Sequence, residues 1–107
     1  MIHTQKELYD YLVANPLGTH VAIGDVKAMN GEDYIILDYQ SDELIPADNR
    51  GAYQSYLQIT VATKNFDDRK ILTNYIKNLL NVTVTYEKSI EFEYFVARCN
   101  CGVLLYG

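Results

Sequence analysis

Residues 56–80 read YLQITVATKNFDDRKILTNYIKNLL, and this stretch decides the fold. In its first part, Tyr56 to Lys64, Leu57, Ile59, Val61 and Thr63 share one parity against Gln58, Thr60 and Lys64. A period of two is that of a strand with one buried and one wet face. From Asn65 the period changes. Ile71, Leu72, Tyr75, Ile76, Leu79 and Leu80 form a continuous apolar stripe at helical spacing, with Lys70, Thr73, Asn74 and Asn78 opposite. Asn65 suits an N-cap. Asp67 and Asp68 suit the positive end of the helix dipole, and Lys77 suits the other end. The spacing predicts a strand over Tyr56–Lys64 and a helix over Asn65–Leu80.

Towards the N-terminus, Thr4 to Asn15 reads as a second helix. Thr4 and Glu7 have capping-box spacing, and Leu8, Tyr11 and Leu12 share one face. Pro16 and Gly18 end it. Thr19 to Met29 is rich in β-branched and apolar residues, with Gly24 as a candidate bulge. Asn30-Gly31 is a two-residue hairpin signal and Asp33 to Gln40 alternates again, so 19–40 is expected to be a β-hairpin. Beyond the central helix, Val82 to Glu87 reads as a strand and Lys88-Ser89 as a turn. Ile90 to Tyr106 reads as one long strand or two short ones, bent around Asn100 to Gly102.

One stretch resists both periods: SDELIPADNRGAYQ, Ser41 to Gln54. Compact domains seldom keep so long a loop without a use for it. Asp42, Glu43 and Asp48 outweigh Arg50, while Leu44-Ile45-Pro46 is an apolar insert. The insert either packs on its own domain or enters a neighbour. Asp42, Glu43, Leu44, Ile45, Asp48, Arg50 and Tyr53 are therefore the candidate protein-interaction residues.

The expected architecture is a single α+β domain over residues 1–107. Its sheet is mostly antiparallel and packed by two helices, in the order α-β-β-(long loop)-β-α-β-β. The step from the Tyr56 strand through the central helix to the next strand also fits a parallel crossover, and the sequence leaves both open.

Composition narrows the function classes. The 107 residues are 49% hydrophobic and 21% charged, as in ordinary globular domains. A formal net charge of −5 argues against a sequence-specific nucleic-acid binder and against docking on anionic lipid. No apolar run approaches the ~20 residues of a membrane helix. The start, MIHTQKELYD, lacks the regions of a signal peptide, so the chain is expected to be made and kept in a reducing cytosol, with Cys99 and Cys101 as free thiols. Ten tyrosines against three phenylalanines and no tryptophan suit either half-buried sheet faces or protein interfaces.

No catalytic, cofactor or metal set emerges. Cys99-Asn100-Cys101 supplies half of a structural zinc set, and neither His3 nor His20 is placed near it; at strand spacing both cysteines read as small core residues. Glu91 and Glu93 share a strand face and read as solvated acids rather than an acid–base pair. Gly24, Gly31 and Gly51 make no phosphate-cradling motif.

The segments ELYDYLVANPL (7–17), SYLQITVATKN (55–65), RKILTNYIKNLLN (69–81) and FEYFVARCNCGVLLYG (92–107), with the loop before the second, together resemble a phage family. These are the small tail-terminator and neck (head–tail connector) proteins of long-tailed bacteriophages. The resemblance implies a structural virion protein, made in the host bacterial cytoplasm. Such a protein forms a homo-oligomeric ring, typically a hexamer, meets the phage tail tube and head-completion proteins, and has no catalytic residues to carry over. Cys99-Asn100-Cys101 is not part of that pattern. The alternative from the residues alone is a monomeric acidic protein-binding or inhibitor module using the 41–54 loop against a basic partner.

Overall fold

The Thr4 hydroxyl accepts the Glu7 amide at 3.1 Å, and the first helix, α1 (Gln5–Val13), starts there as its capping pattern predicts. The computed structural model describes residues 4–24, 32–44, 52–89 and 94–106, with the backbone alone for 42–44, 52, 53, 88, 89 and 106. After α1 come β1 (His20–Ile23), β2 (Tyr34–Leu44), β3 (Ala52–Thr63), α2 (Phe66–Lys77), β4 (Thr83–Ser89) and β5 (Tyr94–Tyr106). The five strands form one sheet in the order β1-β2-β3-β5-β4. The α+β class and element order are those expected.

Buried Asn15 shapes the turn out of α1. Its amide Nδ2 donates to Leu12 O at 2.8 Å and Thr19 O at 3.0 Å, while its Oδ1 accepts from Leu17 N at 3.1 Å and Thr19 N at 2.9 Å. One side chain thus satisfies a whole corner, and Gly18 supplies the left-handed step within it (φ 62).

The expected hairpin over 19–40 is corrected. β1 pairs parallel to β2, His20 beside Tyr34 through Ile23 beside Leu37. β1 closes at Ile23, where Gly24 takes φ 91 and its amide donates to Leu37 O at 2.9 Å. The rest of the expected first strand, Asp25 to Met29, and the Asn30-Gly31 signal lie outside the described residues. The parallel register sets Val21 beside Ile35, both buried.

The remaining ladders, β2–β3, β3–β5 and β5–β4, are antiparallel. Hence β4 runs parallel to β3 with β5 between them, and the β3-α2-β4 connection is the crossover the sequence left open. Lys88 and Ser89 are not a turn; they pair with Phe95 and Tyr94 inside the β4–β5 ladder. β5 keeps an unbroken register with β3 from Phe95 to Tyr106, passing straight through Asn100–Gly102.

Both helices lie on one face. Val21, Ile35, Leu37, Leu57, Ile59, Val61, Ala97 and Cys99 pack there with Leu8 and Leu12 of α1 and Leu72, Ile76 and Leu80 at and beyond α2. At roughly 1.5–3 kcal/mol per fully buried large aliphatic side chain, this face carries most of the burial free energy. Asn65 caps α2 by accepting from Asp67 N at 2.8 Å. The α2 stripe is narrower than expected: Ile71 is 41% exposed, while Thr73, assigned to the wet face, is buried and donates to Arg69 O at 2.7 Å. The molecule measures 46 × 24 × 22 Å, because β2, β3 and β5 outrun their neighbours.

Candidate functional site

The register defines an arm. β1 pairs with β2 only as far as Leu37, and β4 pairs with β5 only as far as Asn100. Past the row Asp38–Gln58–Asn100, β2 residues 39–44, β3 residues 52–57 and β5 residues 101–106 continue as three strands. That is about 20 Å at a strand's rise of ~3.3 Å per residue. Among the described residues, neither outer edge of this arm has a pairing strand.

The expected long loop forms much of it, which corrects the sequence reading. Ser41–Leu44 belong to β2 and Ala52–Gln54 to β3. Asp42 stands opposite Ser55, Glu43 opposite Gln54 and Leu44 opposite Tyr53, and Tyr53 in turn stands opposite Leu105. Of the candidate interaction residues, the backbones of Asp42, Glu43, Leu44 and Tyr53 are brought together, while Ile45, Asp48 and Arg50 lie outside the described residues. Two features hid the strands. The register slips between Tyr39 and Ser41, leaving Gln40 without a partner, so alternation shifts parity there. On β3, the residue alternating inward ahead of Leu57 is Ser55, buried to 1% exposure despite its hydroxyl.

Tyr56 and Leu104 stand on the face away from the helices, 44% and 40% exposed. The Tyr56 ring lies against Gly102, opposite it in the ladder; a Cβ on Gly102 would sit 3.4 Å from the ring and 2.7 Å from Gln54 Nε2.

Further along the same face, Gly24, Tyr34, Ile36, Asp38, Gln58, Thr60 and Arg98 line an open depression of about 230 Å³. Most small-molecule sites are deeper, ~300–1,000 Å³. Its Arg98 is committed to Glu87 at 2.7 Å, and Gln58 donates to Asn100 at 3.1 Å. The Arg98–Glu87 pair is half-exposed and worth ~0.2–1 kcal/mol. It neutralises the arginine more than it stabilises the sheet.

On the helix side, Arg69 sits between Phe66, Tyr86 and Phe95, 4.8 to 5.6 Å from the ring centroids, and donates to Glu87 O and Val96 O. It ties the start of α2 to the β4–β5 ladder and leaves Phe66 and Tyr86 half-exposed. Sequence reasoning missed this cluster, since its members come from three elements.

Cys99 and Cys101 lie two apart on the helix-covered face, Cys99 within the core and Cys101 packed against it. Burial pushes both thiols up to about 11, so they are protonated, poor nucleophiles and poor metal ligands near neutrality. The core-residue reading of the pair is what the fold displays. Glu91 and Glu93 lie outside the described residues, and no group of three or more metal-ligating side chains occurs among the described ones. No helix is long and apolar enough to cross a membrane.

No protein-family model matches the chain, and none of the curated proteins is similar to it.

Proposed function

We propose that this chain is a structural assembly component of long-tailed bacteriophage virions, a ring-forming tail terminator or neck protein that joins tail to head. The three-stranded arm carries this reading. A sheet that runs past the paired length of both its edge strands offers main-chain groups and exposed side chains to other chains. The acidic candidate residues Asp42 and Glu43 sit on its backbone. The segment resemblance names the setting: subunits contact one another around the tail tube and present the opposite surface to head-completion proteins. The role is mechanical, so it draws on contact area and shape rather than on a reactive group.

Native mass spectrometry and electron microscopy of the full chain, alone and with purified tail tubes, test it. Rings capping the tubes support the reading. A strict monomer in both conditions, with tube ends left bare, sinks it. Leu44→Asp with Ile45→Asp is expected to preserve the fold and weaken assembly. If the double variant unfolds instead, the apolar insert belongs to the domain's own core.

A further inference from the structure

We propose that the free edge of β5, Cys101 to Tyr106, pairs antiparallel with the same edge of a second copy of this chain across a two-fold axis. The two sheets then become one.

The edge is a ledge. β4 stops pairing at Thr83 opposite Asn100, and β5 runs on to Tyr106 with β3 as its one pairing strand among the described residues. Along the ledge, the backbone N–H and C=O groups that point away from β3 have no ladder partner among the described residues. Proteins usually blunt such an edge with a charge, a proline or a bulge. CGVLLY has no charge and no proline, and its register with β3 is unbroken. The opposite edge of the arm, on β2, is treated differently: it carries the slip at Gln40 and the acidic residues Asp42 and Glu43. β4 itself carries Glu87 and Lys88.

Two observations make the occupant a second copy. The first is shape. A two-fold axis perpendicular to the sheet lays one ledge antiparallel on the other, so that the Tyr106 end of each β5 comes to rest near the Thr83 end of the other copy's β4. A step of one length is filled by a step of the same length, which an unrelated strand has no reason to match. The second is charge. At −5 the chain repels its copies, and this uncharged ledge lets them approach without setting like charges face to face. The contact is isologous and uses main-chain pairing, with Leu104 of each copy on the same open face beside the axis.

This inference does not rest on the virion reading. A two-fold joint and a head-to-tail ring use different surfaces, and either can stand without the other.

Sedimentation of the full chain over a wide concentration series tests it, beside two variants. The wild type is expected to reach a dimer. Leu104→Asp, at an exposed position, is expected to stay folded by circular dichroism and lose the dimer. Leu104→Cys in a Cys101→Ser background is expected to form a disulfide-linked dimer on oxidation, which reads the contact even if the aspartate variant is unstable. A wild type that stays monomeric throughout overturns the proposal. So does a dimer, or a ring, that persists unchanged in folded Leu104→Asp; a persisting ring leaves the virion reading intact while removing this joint.

Discussion

The hydroxyl of Tyr11 donates to the backbone carbonyl of Tyr75 at 2.7 Å, and the hydroxyl of Tyr75 donates to the carbonyl of Tyr11 at 2.6 Å. Their rings stack between the bonds, centroids 4.3 Å apart and 9° from parallel. Both carbonyls lie in the last turn of a helix, where backbone acceptors have no amide of their own. The amides that would reach them, Asn15 and Leu79, turn instead to Leu12 O and Ile76 O. Each helix therefore caps the other, and the pair fixes how α1 and α2 lie together over the sheet.

Removing either hydroxyl strands a carbonyl. Tyr11→Phe and Tyr75→Phe are each expected to cost about 1–2 kcal/mol, a lost hydrogen bond plus part of the desolvation of a half-buried acceptor. The ring stack survives in both. A double-mutant cycle by urea denaturation should show coupling of at least about 0.5 kcal/mol, as residues in contact do. Strict additivity would mean that the two bonds form independently and that the reciprocal cap is not a unit.

Asn15 should be the most costly polar position in the described chain. It is 6% exposed and makes four hydrogen bonds that hold the α1–β1 corner. Asn15→Ala is expected to cost about 2–4 kcal/mol, since buried groups are left unpaired. Asn15→Asp keeps the acceptor and loses both donors, so it should recover only part of the loss. Denaturation midpoints at constant slope measure both. A cost below about 0.5 kcal/mol, the ordinary surface range, would show that the corner holds without the side chain.

What the sequence made legible was local. The Leu57–Thr63 alternation, the Thr4 and Asn65 caps and the Leu72/Ile76 stripe are all set by neighbours within a few residues, and all stand in the fold. What it hid was non-local. Asn30-Gly31 is a hairpin signal at short range, yet the parallel partner of Val21 is chosen by burial against a helix and by the left-handed step at Gly24. In sequence the arm resembles a loop because the slip at Gln40 and the inward-facing Ser55 break alternation on opposite strands; only their pairing reveals it. The position of β5 was equally invisible, since no local pattern states that β4 covers half of its edge. For Asp42, Glu43, Leu44 and Tyr53, strand character was not legible in the sequence.

Helix α2 supplies a graded test of its buried face. Leu72 and Ile76 are fully buried in the main core, and Ile71 is 41% exposed one residue away. Leu72→Ala and Ile76→Ala should each cost about 2–5 kcal/mol, the range for core truncations. Ile71→Ala should stay within about 0.5 kcal/mol, offset by the better helix propensity of alanine. Chemical denaturation of the three variants ranks them. If Ile71 costs as much as its neighbours, the face is wider than this packing allows.

Alkali should loosen the core. Burial raises Cys99 and Cys101 from 9.0 to about 11, and burial followed by Tyr75 raises Tyr11 above its ordinary value of 10.0. A raised folded-state value means that the fold favours the protonated group. The resulting stability is complete below the unfolded value and is lost as pH climbs through the folded one. For the thiols that window runs from pH 9.0 to about 11. Denaturation midpoints should fall across it, and more shallowly for Cys99→Ala with Cys101→Ala than for the wild type. Equal slopes in the two proteins would remove the thiols as the cause.

Gly102 invites the expectation that any side chain there is ruinous, and its surroundings argue otherwise. An added Cβ would come within 2.7 Å of Gln54 Nε2, but that atom ends a flexible, partly exposed side chain that can swing away. The Tyr56 ring, at 3.4 and 3.5 Å, is already at a tolerable distance. No positive φ has to be surrendered, because Gly18 and Gly24 are the described glycines that need one. Replacing a strand glycine by alanine also trims the freedom of the unfolded chain, a gain of about 0.4–1 kcal/mol. Gly102→Ala should therefore lie within about 1 kcal/mol of the wild type in either direction. Gly102→Val meets the ring with two further methyls and should cost about 1–3 kcal/mol, as overpacking does. Denaturation midpoints of the two variants decide the matter. A large loss already at alanine would mean that Tyr56 is held rigidly on Gly102, and that the arm is as tightly packed on its open face as beneath the helices.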